Sequence, residues 1–230
     1  MVSKRRLRGI VPAFGLALIA SLALGAIGVA SASATTQHWY VGGTKLAEGT
    51  PTDTAMTGTS EKWVIRWWWL SAPTEVNCTS LSGTNEVENK LGGGIGFLTG
   101  KESNPTFTFS GCAFVKPLSA RLYCEIPGGK ISVYAYGETT EFSAQPSVKF
   151  NGVAGTLFEF KAIGTKCPPA LKESNFRFTG SFIGISKSAT SSLEVTEASS
   201  ANLIAGAQQA TLIGSTKLET STGKTVTVAP

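Results

Sequence analysis

The sequence predicts an all-β fold, an antiparallel β-sandwich or barrel-like domain behind a cleaved N-terminal signal peptide. Three observations predict it. Period-two alternation recurs along the chain after residue 35, helical periodicity is nearly absent there, and Gly-rich turns separate the runs at close spacing.

The N-terminus comes first. Lys4, Arg5, Arg6 and Arg8 precede the apolar, uncharged stretch Gly9–Val29, and small residues follow in Val29–Ala34. This is the tripartite pattern of a secretory signal, with A-x-A matches at 30–32 and 32–34. Cleavage is expected after Ala34, so that 1–34 is the signal peptide and 35–230 a single secreted β domain. No second long apolar segment follows, and the mature form is expected to be free of the membrane. The chain has 20 Lys and Arg against 15 Asp and Glu; without the four basic residues of the signal the count is 16 against 15. A balanced charge leaves no electrostatic footprint for nucleic acid.

Gln37–Tyr40, "QHWY", reads as the start of the first strand, with Trp39 packed and His38 solvated. Ala47–Ser60 is polar and Thr-rich and reads as an exposed loop. "WVIRWWWL", 63–70, then holds four of the five tryptophans. In a strand, Trp63, Ile65, Trp67 and Trp69 share one face, and Val64, Arg66, Trp68 and Leu70 the other. The first set is expected in the core. Trp68, which shares its face with Arg66, is expected to see solvent.

The later runs Thr106–Ser110, Lys130–Gly137, Thr156–Ala162, Asn175–Phe182, Ser191–Glu197 and Ala210–Gly214 carry aromatic or β-branched residues at alternate positions and read as strands. Thr216–Val228 reads as a terminal hairpin turning at Ser221–Gly223. Gly92–Gly94 and Gly128–Gly129 mark turns.

Cys78, Cys112, Cys124 and Cys167 make an even set behind a secretory signal, which implies two disulfides. Three connectivities are possible. "CAFVKPLSARLYC" resembles a hairpin, so Cys112–Cys124 is the expected pair and Cys78–Cys167 the other. Zinc is disfavoured because there is no C-x₂-C pair and a single histidine.

Catalytic sets are missing. His38 stands alone, and neither G-x-S-x-G nor H-E-x-x-H occurs. Ser221-x-x-Lys224 falls in a turn. Asp53 is the only aspartate, against a calcium loop. Glu138, Glu141 and Glu159 are the candidates for a glycosidase pair, with Glu159 expected on a solvated strand face opposite Phe158 and Phe160. No cofactor, no metal and no enzymatic activity are expected.

Several segments carry a resemblance: "HWYVGGTKLAEGT" (38–50), "VNCTSLSGTNEVEN" (76–89), "FTFSGC" (107–112) with Cys124, "NFRFTGS" (175–181) and "AGAQQATLIGSTKLETSTGK" (205–224). In these the chain resembles the paralogous groups of small secreted proteins of high-GC actinobacteria, especially soil lineages related to Solirubrobacter. The resemblance implies secretion and β structure. That family has no established activity, so it assigns no functional residue, and the Trp-rich strand departs from it.

The expected function is a secreted, non-catalytic β domain with a structural or surface-interaction role toward an extracellular or cell-surface partner. The alternative is a carbohydrate-binding module, with Trp67, Trp69, Tyr134 and Tyr136 as stacking residues. A secreted glycoside hydrolase stands third.

Overall fold

The computed structural model describes residues 36–230 apart from 59–61, 101–104, 189 and 191. The expected signal peptide, 1–34, and the expected cleavage after Ala34 lie outside the described residues.

In the first half, the strands are β1 (His38–Val41), β2 (Thr44–Lys45), β3 (Thr52–Gly58), β4 (Trp63–Trp69), β5 (Ala72–Cys78), β6 (Ser80–Asn89), β7 (Gly96–Gly100), β8 (Phe107–Ser110) and β9 (Ala113–Lys116). Helix α1 (Leu118–Tyr123) leads to β10 (Lys130–Val133), β11 (Ala135–Phe142) and the long β12 (Gln145–Lys161). After α2 (Pro169–Lys172) come β13 (Asn175–Lys187), β14 (Ser192–Val195), β15 (Leu203–Ala205), β16 (Gln208–Gln209), β17 (Thr211–Thr220) and β18 (Val226–Ala229).

Eight strands close a barrel: β3, β6, β7, β11, β12, β13, β14 and β17, which returns to β3, every pair antiparallel. Closure removes the sheet edges that an open sheet would have to protect. Val87, Leu98, Val148, Phe150 and Leu218 are buried within it, while Glu86, Glu138, Lys149 and Lys217 lie on the outer positions. A mainly apolar interior, with a few buried polar side chains such as Asn85, Thr139 and Thr216, and a charged exterior are the reverse of a barrel built for lipid.

Four barrel strands take a second partner along one side, β13 pairing with β14 and then with β15. In the same way β6 pairs with β8 past the end of β7, β12 with β10 past β11, and β17 with β4 past β14. The sheet β4–β5–β9 thereby comes to face β12 and β13 across a layer of rings, in which Phe158 and Phe178 stack at 4.4 Å and Phe114 meets Phe160 and Phe176. The result is a closed barrel with a two-layered extension.

A small sheet, β18–β1–β2, is anchored on the barrel. Asn89, fully buried, clamps it: its Oδ1 accepts the Trp39 N–H at 2.7 Å, and its Nδ2 donates to the carbonyls of Trp39 (3.1 Å) and Leu46 (2.9 Å). Thr139 donates to the Gln37 carbonyl at 2.6 Å. Trp39 lies so close to Gly96 that a Cβ there would sit 2.5 Å from the indole.

Several sequence expectations need correction. Residues 52–58 are a barrel strand, not part of a loop, because Thr54, Met56 and Gly58 alternate inward against β6 and β17. The run 130–137 breaks at Tyr134, whose N–H donates to the Leu157 carbonyl while its own carbonyl accepts from Val153. The turn after Thr220 forms, but β18 leaves β17 to pair with β1. His38 is buried rather than solvated.

The disulfides are Cys78–Cys112 and Cys124–Cys167, which overturns the expected Cys112–Cys124 and Cys78–Cys167 pairs. The cause is local. Asn77 pairs with Ala113 across β5 and β9, so Cys78 and Cys112 meet at the next position. Residues 118–123 form a helix, not the return strand of a hairpin, and carry Cys124 to the Glu125–Ile163 bridge near Cys167. Cross-links of these spans contribute about 2–4 kcal/mol each in the chain-entropy account. They also mark an oxidising compartment.

Candidate functional site

The Trp-rich strand builds two different surfaces. β4 pairs with β5 from Trp63 opposite Cys78 to Trp69 opposite Ala72, closing through Leu70 and Ser71, both at positive φ (46° and 63°). A two-residue turn of this sense matches the twist of the flanking strands. On the inner face Trp63 and Ile65 are fully buried, and Trp67 is 3% exposed. Trp63 meets Phe109 at 5.1 Å and lies against Gly214, where a Cβ would sit 2.4 Å from the indole. Trp67 presents edges to Phe160, Phe176 and Phe178 at 6.0, 5.3 and 5.3 Å. Trp69 is partly buried against Phe176 at 5.1 Å. Trp67 and Trp69 therefore belong to the core and not to a stacking platform, which corrects the carbohydrate-site expectation for both.

The outer face is Trp68, 55% exposed, opposite Pro73. Beside it runs a polar row across four strands: Lys116 on β9, Glu75 on β5, Arg66 on β4 and Thr211 on β17, each at its partner's paired position. Arg66 Nε donates to Glu75 Oε2 at 3.0 Å, and Lys116 Nζ lies 3.8 Å from the same oxygen. Two cations hold one nearly buried carboxylate, which offsets its desolvation. Gln209 and Glu197 complete the wall of a groove of about 340 Å³. The groove thus offers a planar apolar surface, donors on Arg66, Lys116 and Gln209, and acceptors on Glu75, Glu197 and Thr211.

Tyr134 and Tyr136 stay outside, at 47% and 37% exposure. Tyr136 stands on the barrel wall opposite Thr99 and Asn151. Tyr134 lines a separate groove of about 740 Å³ with Ser132, Val153, Thr156, Glu159 and Arg177. Of the three glutamates singled out in sequence, only Glu159 reaches this groove; it is exposed, opposite in facing to buried Phe158 and Phe160 as expected, and accepts from Asn175 Nδ2 at 3.1 Å. Glu138 accepts from Asn151 on the barrel wall, and Glu141 is exposed near the β11–β12 turn. The carboxylates that do share a groove, Glu75 and Glu197, were missed. Only the outward position of Glu75 opposite Arg66 could have signalled one of them.

His38 packs at the start of β1 with its Nδ1 unpartnered. Burial holds its pKa below the usual 6.5, with Lys45 adding to the effect and Glu48 opposing it. Among the described residues no group of three or more His, Cys, Asp or Glu is placed to hold a metal ion, and no helix is long and apolar enough to cross a membrane. Comparison with protein-family models, with curated proteins and with solved structures finds no match.

Proposed function

We propose that the protein is a secreted, non-catalytic surface-interaction domain that binds neutral carbohydrate through the outer face of β4–β5–β9. The observation that carries this reading is exposed Trp68 beside the ladder Lys116–Glu75–Arg66–Thr211. A sugar ring has an apolar C–H face and a rim of hydroxyls that each donate and accept. An indole plane with donors and acceptors in one groove matches both. The charges of Arg66, Lys116, Glu75 and Glu197 cancel, which favours a neutral sugar over an acidic one. Glu75 Oε2 is taken by two cations, which favours positioning over catalysis. The basic, apolar and small-residue segments of 1–34 and the two disulfides support secretion.

A neutral-glycan array, probed with wild type and Trp68→Ala, tests the proposal. Binding is expected for wild type and lost in the variant, which should still unfold cooperatively. Equal binding by both proteins, or release of reducing ends from the bound glycan, would contradict it.

A further inference from the structure

The groove at Tyr134 repeats the chemistry of the Trp68 groove on another face. Tyr134 supplies an exposed ring, and Val153, raised by the bulge that includes Ala154 (φ 51°) and Gly155 (φ 79°), stands beside it, its N–H bonded to the Tyr134 carbonyl at 3.0 Å. Glu159 and Arg177 are cross-strand neighbours. Both are held in place: Arg177 donates through Nε to Thr156 Oγ1 at 2.8 Å and also through Nη2, and Asn175 donates to Glu159 Oε2. The groove therefore joins an aromatic surface to one anchored donor and one anchored acceptor, and its charges again cancel. Such anchoring lowers the ordering cost of binding.

The two grooves face away from each other. Trp67 on β4 points inward and meets Phe160 on β12 and Phe176 and Phe178 on β13. Trp68 follows Trp67, Glu159 precedes Phe160, and Arg177 lies between Phe176 and Phe178. By strand alternation all three point outward, from opposite layers. Two packed sheets about 10 Å apart, with their outer side chains, separate the grooves. A single short sugar cannot occupy both.

We propose that the Tyr134 groove is a second carbohydrate-binding surface, so that one chain bridges two glycan strands. The inference rests on the carbohydrate reading of the Trp68 groove and adds bivalency to it. Bridging gives a non-catalytic secreted domain a mechanical role, since linked strands hold together with an avidity neither site has alone.

The test is calorimetric titration of the mature protein with hexasaccharides of cellulose, chitin, xylan and amylose, paired with light scattering in soluble xylan and amylose. Wild type is expected to take up two hexasaccharides per chain and to raise scattering. Trp68→Ala and Tyr134→Ala should each leave one site, weaken the other at least about tenfold, the equivalent of one lost ring contact, and abolish the scattering rise. Tyr134→Phe should retain both sites. Because about half of Trp68 and of Tyr134 already lies in water, both alanine variants should remain folded and unfold cooperatively, which separates lost binding from lost fold. One site, sensitive to Trp68 alone, would overturn the second surface and leave the first. One site, sensitive to Tyr134 alone, would overturn the Trp68 reading and bridging together. No uptake of any of the four sugars would overturn both.

Discussion

Replacing Trp67 by alanine should destabilise the protein by about 3–5 kcal/mol, as large-to-small core changes do. A tryptophan buries up to about 250 Å², worth about 6 kcal/mol at about 25 cal/mol per Å². The buried Trp67 Nε1 has no hydrogen-bond partner, and its desolvation costs about 1–3 kcal/mol that the substitution relieves. The difference returns the stated range. Trp67→Phe should cost much less, because a ring still meets Phe160, Phe176 and Phe178 while the unpaired N–H disappears. Trp68→Ala, one residue along, should cost clearly less than Trp67→Ala, because 55% of Trp68 already lies in water. Urea unfolding with the disulfides intact, followed by midpoint at constant slope, measures all three. A Trp67→Ala shift below about 1 kcal/mol, or a Trp68→Ala shift equal to that of Trp67→Ala, would refute the division of this strand into a buried face and an exposed face.

Peptide mapping under non-reducing conditions should recover Cys78 linked to Cys112 and Cys124 linked to Cys167; a Cys112–Cys124 peptide would contradict the helical course of 118–123. Asn89→Ala strips partners from the Trp39 and Leu46 backbone and should cost about 3 kcal/mol, since each buried polar group left unpaired costs about 1–3; Asn89→Asp should not rescue it, having no donor for the two carbonyls. Faster hydrogen exchange confined to β1 and β18 would locate the damage. His38 binds its proton more weakly in the folded than in the unfolded chain. Its contribution is therefore complete above about pH 6.5, the unfolded value, and is lost as pH falls from there through the folded one. His38→Gln should flatten that part of the stability–pH curve, and an unaltered curve would contradict the burial of His38.

Much of the fold was legible because alternation is a direct image of a two-faced strand. The facing of Trp63, Ile65, Trp67 and Trp68 follows from it, as does that of Glu159. Barrel closure was not legible, because it depends on β3 pairing with β6 on one side and with the distant β17 on the other, and the second pairings of β6, β12, β13 and β17 that build the extension are equally unannounced. β3 was hidden by threonines, which read as loop residues yet alternate inward at Thr54. Helix α1 buries only Ala120 and exposes Leu118 and Leu122, so it lacks the apolar stripe that marks a packed helix. The β4–β5 turn uses Leu70 and Ser71 at positive φ, where Asn-Gly would have been recognisable. The misassigned disulfides followed from taking 112–124 as a hairpin. The candidate site was half legible. Its aromatic content was visible, and so was the exposure of Trp68, but the alternative carbohydrate reading placed its stacking residues at Trp67 and Trp69, which are on the inner face. Glu75, Lys116 and Thr211 converge only through pairings between distant segments.

The most direct test of the proposed carbohydrate reading of the outer face of β4 is a titration of ¹⁵N-labelled protein spanning residues 35–230 with a hexasaccharide from the neutral set, read at the five tryptophan indole signals. Trp68 is exposed, whereas the indole nitrogens of Trp39, Trp63, Trp67 and Trp69 are buried. The Trp68 signal should move progressively and saturate while the other four stay in place. Movement of the Trp67 or Trp69 signal with Trp68 unmoved, or five unmoved signals throughout the series, would contradict the account.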